Sequence, residues 1–530
     1  MLFTSYGFIG FLAVLFLLYY LIPAKYQWML LLAASYLFYW FANPVYLLYI
    51  CVTTVSTWFI GRRIEAVRSV QSAYLAEHKQ ELDKEAKKSY KALMKKKTWH
   101  LLLACLFFNL GILAVVKYTN FVISNVNAVI HAIGAGQPLS FVNIIVPLGI
   151  SFYTFQAMGY IIDVYRGTVK AQDNLFRFAL FVSFFPQLVQ GPISRYGDLS
   201  ESLFAEHPRD WSTISMGLQR MLWGYFKKLV IADRMLIGVN TLIQNPDTYY
   251  GAYAFLGMLF YALELYADFT GGIDITIGIA QVLGVKVTEN FNRPYFSKSI
   301  KEYWNRWHMT MGSWFTDYIF YPISVCKPML KLSKASRKAL GETIGKRVPI
   351  YLSSFVVWFA TGIWHGASWN FIVWGLANCF VILVSQELEP FYRWFHSKIR
   401  VDGTFCWKLF RVVRTVLLMS SLRTFDCYRN VPLTFCMYGT MFTEFNWGEL
   451  FSGSMLNLGL TVADYAILLA GLILLIGVSL LQRSGSVREK IAARPYPLRF
   501  AIWFSLFLMV ILWGTYGIGY DASQFIYNQF

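Results

Sequence analysis

Two of the seven histidines in this sequence stand where an imidazole could move a proton. His365 lies in Thr361-Gly362-Ile363-Trp364-His365-Gly366-Ala367-Ser368-Trp369, between the apolar runs Tyr351 to Ala360 and Phe371 to Ser385, which places it at or near membrane depth. An ionisable side chain is expensive there, so a functional role outweighs that of an ordinary core histidine. Gly362 and Gly366 leave room for close approach, and the flanking tryptophans exclude water. A neutral imidazole in such a setting can take a proton from an attacking hydroxyl. His308, in Tyr303-Trp304-Asn305-Arg306-Trp307-His308-Met309-Thr310, is the second candidate, and two readings stand for it: a hydrogen-bonding residue that holds its segment in place, or a partner in catalysis. His78, His100, His131, His207 and His396 fall in polar loops or near span ends and carry no assigned role.

Other chemistries find less support. No His-Glu-x-x-His motif joins the two candidates, and the seven cysteines are scattered without a Cys-x-x-Cys pair, so neither a metal site nor a disulfide framework is indicated. Ser151 and Ser194 lack the Gly-x-Ser-x-Gly elbow of a serine hydrolase. Asp163, Arg166, Arg195, Glu264 and Asp268 are charges in apolar surroundings, for which structural ion pairing is the favoured reading.

The elements that must hold these residues are transmembrane helices. At 530 residues, 57% hydrophobic, 18% aromatic and 14% charged, the chain has more apolar surface than a soluble domain can bury. Windows such as Gly7 to Ile22, Trp28 to Ala42, Pro44 to Ile60 and Tyr465 to Leu481 approach or reach the ~20 apolar residues of a spanning helix, without the alternation of a barrel strand. The first run lacks a basic leader and a cleavage site and reads as a retained span. Roughly ten to twelve full spans are expected, with no internal repeat of the kind common among secondary transporters.

Net charge is +18, but the cations collect in short connections, which points to topology and not to nucleic acid. Arg62 to Lys97 holds eleven of them and reads as a solvated amphipathic helix along the membrane surface; Lys327 to Arg347 and Arg483 to Arg499 are the other basic connections. With all three cytoplasmic, both termini lie outside. Two stretches, Phe184 to Tyr196 and Asn292 to Pro322, are too polar to span and too aromatic for a solvated loop; both read as re-entrant or broken helices around a polar interior.

Three motifs together resemble the membrane-bound O-acyltransferase family, in particular its bacterial alginate O-acetyltransferase branch. They are Pro147-Leu148-Gly149-Ile150-Ser151-Phe152-Tyr153-Thr154-Phe155-Gln156 running on to Asp163-Val164-Tyr165-Arg166-Gly167, Asn290-Phe291-Asn292-Arg293-Pro294-Tyr295 running to His308, and Trp364-His365-Gly366-Ala367. The resemblance covers about residues 1 to 425 and implies an all-α, polytopic membrane protein, a ring of tilted helices with re-entrant segments around a central tunnel. It implies one membrane acyltransferase domain over 1–530: a basic cytoplasmic segment at 62–98, a motif-bearing core at 147–425 and C-terminal spans at 426–530. It carries the catalytic role to His365 and the second site position, an asparagine in many eukaryotic members, to His308. After Tyr321-Pro322 the branch usually continues Leu-Gly-Gly, whereas here the sequence is Ile323-Ser324-Val325-Cys326-Lys327. That departure bears on donor recognition and on alginate as the substrate, not on acyl transfer.

The expected reaction follows from the resemblance. Acetyl-CoA, a substrate and not a resident cofactor, arrives from the cytoplasm with its phosphates on basic residues such as Arg293, Lys298, Lys301 and Arg306. A thioester is already activated, so no metal is required. His365 deprotonates the acceptor hydroxyl, and His308 or Asn305 donates a hydrogen bond to the oxyanion. The expected setting is the bacterial plasma membrane, with an extracytoplasmic acetyltransferase partner that modifies polysaccharide or peptidoglycan and no nucleic-acid partner. D-alanyl transfer to teichoic acid from a carrier-protein thioester and transport of a polysaccharide precursor are the alternatives.

Overall fold

A computed structural model describes residues 3–134, 136–399, 401, 403–517 and 520, and among them every regular element is helical. This is the outcome lipid dictates, because a helix satisfies its own backbone polar groups where no water can. Contacts group the chain into two compact units, Met1–Ile214 with Ala280–Thr288, and Ser215–Ile279 with Glu289–Phe530.

In the first unit, α1 (Tyr6–Leu21), α2 (Gln27–Ala42), α3 (Tyr46–Glu77), α4 (Lys84–Ala132) and α5 (Ile150–Arg166) supply the main helices. Phe8, Phe38 and Phe185 cluster with centroids 5.7 to 6.4 Å apart. The basic stretch at 62–97 is helical as expected, but it is not a separate surface helix. It forms the second half of α3 and the first turns of α4, joined by a short turn at 78–83. No proline interrupts either helix there. Gly61, the one weak helix former at the boundary, allows α3 to approach α5, since a Cβ at this position would lie 3.4 Å from the Tyr160 ring. Residues 184–194 are wholly buried and broken into the four-residue helix Phe185–Leu188 and irregular chain, with Gln187 Nε2 donating to Ser194 Oγ at 2.5 Å.

The second unit carries both candidate histidines. Its longer helices are α6 (Trp211–Tyr225), α7 (Asp233–Gln244), α8 (Ala252–Val282), α9 (Val348–His365), α10 (Trp369–Glu387), α11 (Phe405–Tyr428), α12 (Val462–Leu481) and α13 (Tyr496–Trp513). Between α6 and α7 a π-helical stretch, Phe226–Ala232, widens the turn and directs two consecutive lysines inward. Lys227 Nζ meets Asp274 at 2.7 Å, and Lys228 Nζ meets Asp268 at 2.6 Å and Asp233 at 2.7 Å. Glycines let α6 and α8 touch backbone to backbone: a Cβ on Gly224 would lie 2.6 Å from Gly271 O, and one on Gly278 2.8 Å from Gly217 O.

Among the described residues five helices are long and apolar enough to cross a membrane: α4, α9, α10, α12 extended to Ser484, and α13. That is fewer than the ten to twelve expected. Length and charge account for the difference: α1 and α2 have only 16 residues each, while α8, at 31 residues, carries the buried Glu264 and Asp268 and the half-buried Asp274. The C-terminal end, expected outside the membrane, lies outside the described residues.

Candidate functional site

α9 follows the basic segment Lys327–Arg347 and rises 18 residues, about 27 Å, to place His365 in its last turn. Gly366 then breaks the helix with an extended backbone, and α10 returns beside it. The two helices cross at backbone contact. A Cβ on Gly362 would sit 2.6 Å from Phe371 O, and one on Gly375 2.4 Å from Trp358 O. This crossing seats His365, 6% exposed, against Trp374 with ring centroids 4.7 Å apart and against Trp364 at 4.9 Å.

His308 reaches the same place by a different route. Asn290 to Pro322 is a broken path in which buried and exposed residues are interspersed, with short helices at Ile300–Trp304 and Met309–Phe315. Two turns in it need the left-handed backbone, at Arg293 and His308, each with φ 47°. Asn290 fastens the second: its backbone carbonyl accepts from Met309 N at 2.9 Å, and its side-chain Oδ1 accepts from Thr310 N at 3.2 Å and Thr310 Oγ1 at 2.9 Å. A backbone N–H can only donate, so the Asn290 atom it meets is the oxygen. His308 Nδ1, 3.2 Å from that oxygen, therefore carries the proton. Fully buried, with the Arg423 guanidinium among its neighbours, the ring is held neutral and its Nε2 is an acceptor.

Both histidines are neighbours of Trp364, whose ring is 6.0 Å from His308 and 4.9 Å from His365. Arg423 of α11 completes the surround. It is 5% exposed, stacks over Trp374 at 4.7 Å and Trp307 at 5.1 Å, and faces Asp426 at 3.8 Å. The sequence reading quoted Asn290 at the head of a motif but gave it no role, and it did not single out Arg423. An arginine between Leu422 and Thr424 gives no local signal, because its meaning lies in contacts with distant segments.

Two cavities lie in this unit. The larger, about 870 Å³, is lined by Arg293, Arg488 and Met309, with apolar walls from α12 and α13, and by Arg220 paired to Asp274 and Glu289. Met309 adjoins His308, so this cavity ends beside that residue. The smaller, about 320 Å³, is lined by Glu264, Tyr261 and the end of α11, Asp426 to Arg429. Asn370, at the start of α10, donates to Phe425 O at 3.2 Å and ties that end to the His365 wall.

The remaining sequence candidates are spread along one side of the broken path. Arg293 lines the large cavity, and Arg306 is paired with Glu302 at 2.6 Å. Lys301 is exposed, and the carbonyl of Lys298 receives Arg411 at 3.4 Å and Arg414 at 3.2 Å. Asn305 is exposed and caps the helix Ile300–Trp304.

Two buried histidines sit beside Trp364 in an all-helical protein with helices long and apolar enough to cross a membrane, and the comparisons with known proteins give its class. The model of the membrane-bound O-acyltransferase family matches residues 171–421. The "Probable alginate O-acetylase AlgI" of Azotobacter vinelandii is 34% identical over 455 residues, 84% of this chain and 79% of that protein. The "Peptidoglycan O-acetyltransferase" of Helicobacter pylori is 28% identical over 69% of this chain and 66% of its own length, and the "Teichoic acid D-alanyltransferase" of Bacillus subtilis is 29% identical over 48% and 63%. The chain belongs to the membrane-bound O-acyltransferase family and is a multi-pass membrane O-acyltransferase.

Proposed function

We propose that the protein takes an acetyl group from acetyl-CoA at the cytoplasmic face of a bacterial plasma membrane and delivers it to a hydroxyl on the opposite side, for O-acetylation of a cell-surface polysaccharide through an extracytoplasmic partner. One observation carries this reading: His308 and His365 are both buried beside Trp364, and a cavity of about 870 Å³ lined by Arg293 and Arg488 reaches Met309, next to His308. The basic connections mark the donor end. There Arg293 has Arg306 and Arg483 as charged neighbours, and Arg411 and Arg414 converge on Lys298, a cationic rim suited to the donor's phosphates.

The thioester arm enters past Met309. His365 takes the proton of the attacking hydroxyl, the hydroxyl oxygen bonds to the carbonyl carbon, and the carbon–sulfur bond breaks as the tetrahedral intermediate collapses. The departing thiolate recovers the proton from His365, so nothing is oxidised and no proton is lost. The neutral Nδ1–H form of His308 argues against its expected role as oxyanion donor. Its Nε2 accepts, and an amide N–H of the donor arm is the partner chemistry provides. Asn305, exposed at a helix end, is not placed to serve the oxyanion either.

The test is transfer from labelled acetyl-CoA by the protein in nanodiscs. His365→Ala should lower turnover about 10²- to 10⁴-fold at equal folded protein, and wild-type turnover in that variant would remove the assignment. Turnover with an alanyl carrier-protein thioester but not with acetyl-CoA would favour D-alanyl transfer. An absence of turnover with either donor, alongside intact cargo export, would favour a transporter.

A further inference from the structure

α12 has the basic connection 483–499 at one end and, at the other, a surface built from two segments, the loop 245–251 between α7 and α8 and the stretch 430–461 between α11 and α12. Asn446 joins them: its Oδ1 accepts from Ala252 N at 2.8 Å and its Nδ2 donates to the Tyr250 carbonyl at 3.3 Å. Gly251 N donates to Thr440 Oγ1 at 3.0 Å, and Leu242, Tyr253 and Leu458 pack together as a buried cluster that holds both segments. With that cluster closed, Phe442, Phe445 and Phe451 still stand outside it, 79%, 84% and 88% exposed. The two segments carry three acids, Asp247, Glu444 and Glu449, all exposed, and no lysine, arginine or histidine, in a chain whose net charge is +18.

Lipid does not account for these rings. Beyond the helix Val431–Thr443 the chain runs through two short 3₁₀ turns, Trp447–Phe451 and Ser454–Leu458, and irregular backbone exposed in this way does not sit in hydrocarbon. A segment that lies on an anionic headgroup layer presents lysine and arginine, and this one presents only carboxylates. Exposed aromatic rings rimmed by charge mark a contact with another macromolecule. From this arrangement we infer that 245–251 and 430–461 form the docking surface for a protein on the side of the membrane opposite the basic connections, one that offers an apolar pocket to Phe445 and Phe451 and lysine or arginine side chains to Asp247, Glu444 and Glu449. The rings supply the buried anchors, and the carboxylates steer the approach and select a cationic partner. The surface is also close to the histidines along α11. Arg423 stacks on Trp374 beside His365, and the helix ends at Tyr428, about 8 Å further along its axis. This inference rests on the proposed function for the side of the membrane and for the partner's task, but the contact is measurable without turnover.

The experiment places the photo-crosslinker p-benzoylphenylalanine in the full chain in place of Phe445 or Phe451, with Phe507 on α13, itself exposed, as the control position. Irradiation of intact cells of the native host should give, from both test positions, an adduct mapped by mass spectrometry to one exported protein, and no adduct with that protein from the control. Glu444→Lys combined with Glu449→Lys should cut the adduct tenfold or more, while the purified variant in nanodiscs turns over labelled acetyl-CoA at the wild-type rate. Adducts confined to lipid or to this chain, a yield indifferent to the charge reversal, or loss of thioester turnover in that variant would overturn the inference. A charge-sensitive adduct in a protein that turns over no acetyl-CoA would leave the surface standing while the proposed donor falls. Turnover of acetyl-CoA with no protein adduct from either position would do the reverse.

Discussion

Replacing Gly375 by alanine tests whether the α9/α10 crossing sets the geometry of His365. A Cβ built on Gly375 lies 2.4 Å from the Trp358 carbonyl oxygen, about 1 Å inside the 3.4 Å at which ordinary Cβ contact begins. That oxygen is backbone in mid-helix, so no side chain can swing aside and the two helices must separate by a distance of that order. His365 closes α9 and Trp374 precedes Gly375 on α10, with their rings 4.7 Å apart, so the separation falls directly on His365 and the ring it packs against. Overpacking of this kind costs about 1–3 kcal/mol of stability, whereas a 1 Å misplacement of a reacting group costs on the order of 10²-fold in rate. Gly375→Ala should therefore remain folded and lose about 10²-fold in acyl transfer from labelled thioester. Gly477→Ala is the control, because nothing lies within 4 Å of a Cβ there and a glycine-to-alanine change inside a helix is neutral or stabilising. Gly375→Ala with wild-type turnover, at a folded fraction equal to that of the control, would refute the reasoning.

Two further outcomes follow from buried polar groups. Lys228→Met leaves the Asp268 and Asp233 carboxylates buried without their cation and should destabilise the protein by about 3–5 kcal/mol, read as a lowered thermal unfolding midpoint in detergent; an unchanged midpoint would contradict the pairing. Asn290→Ala removes the acceptor of His308 Nδ1 and of Thr310, at a cost of about 1–3 kcal/mol. Nitrogen NMR of labelled histidine should then show His308 shift from the Nδ1–H form to a tautomer mixture, and a wild-type signature in the variant would argue against the lock.

The parts of this architecture that sequence disclosed are those where polarity conflicts with surroundings. His365 announces itself because an imidazole between two apolar runs has few other reasons to be there, and 184–196 and 290–322 stand out because prolines, amides and charges interrupt apolar chain. The hidden parts depend on partners far along the chain. Lys227-Lys228 reads as a solvated face until the π-helical turn directs both inward. Arg423 sits among Ser420, Ser421 and Thr424 like a residue near a helix end, and its tryptophans come from two other segments. The basic stretch at 62–97 was correctly helical but not correctly bounded, since composition marks where a helix leaves lipid and not where it stops. The sequence count of spans exceeds the five helices that meet the length and apolarity of a crossing among the described residues, α1 and α2 being apolar but only 16 residues long.

The backbone at His308 has a consequence for which side chains this enzyme class can use. With φ at 47°, the position accepts few L-residues, and those most at ease there are asparagine, aspartate and histidine. Of these, only asparagine and histidine offer an uncharged nitrogen-bearing polar group. The alternation of asparagine and histidine implied by the family resemblance is one this turn accommodates without added strain, although Arg293 shows that other side chains can be held at the same φ. Conformation favours both, and chemistry chooses between them.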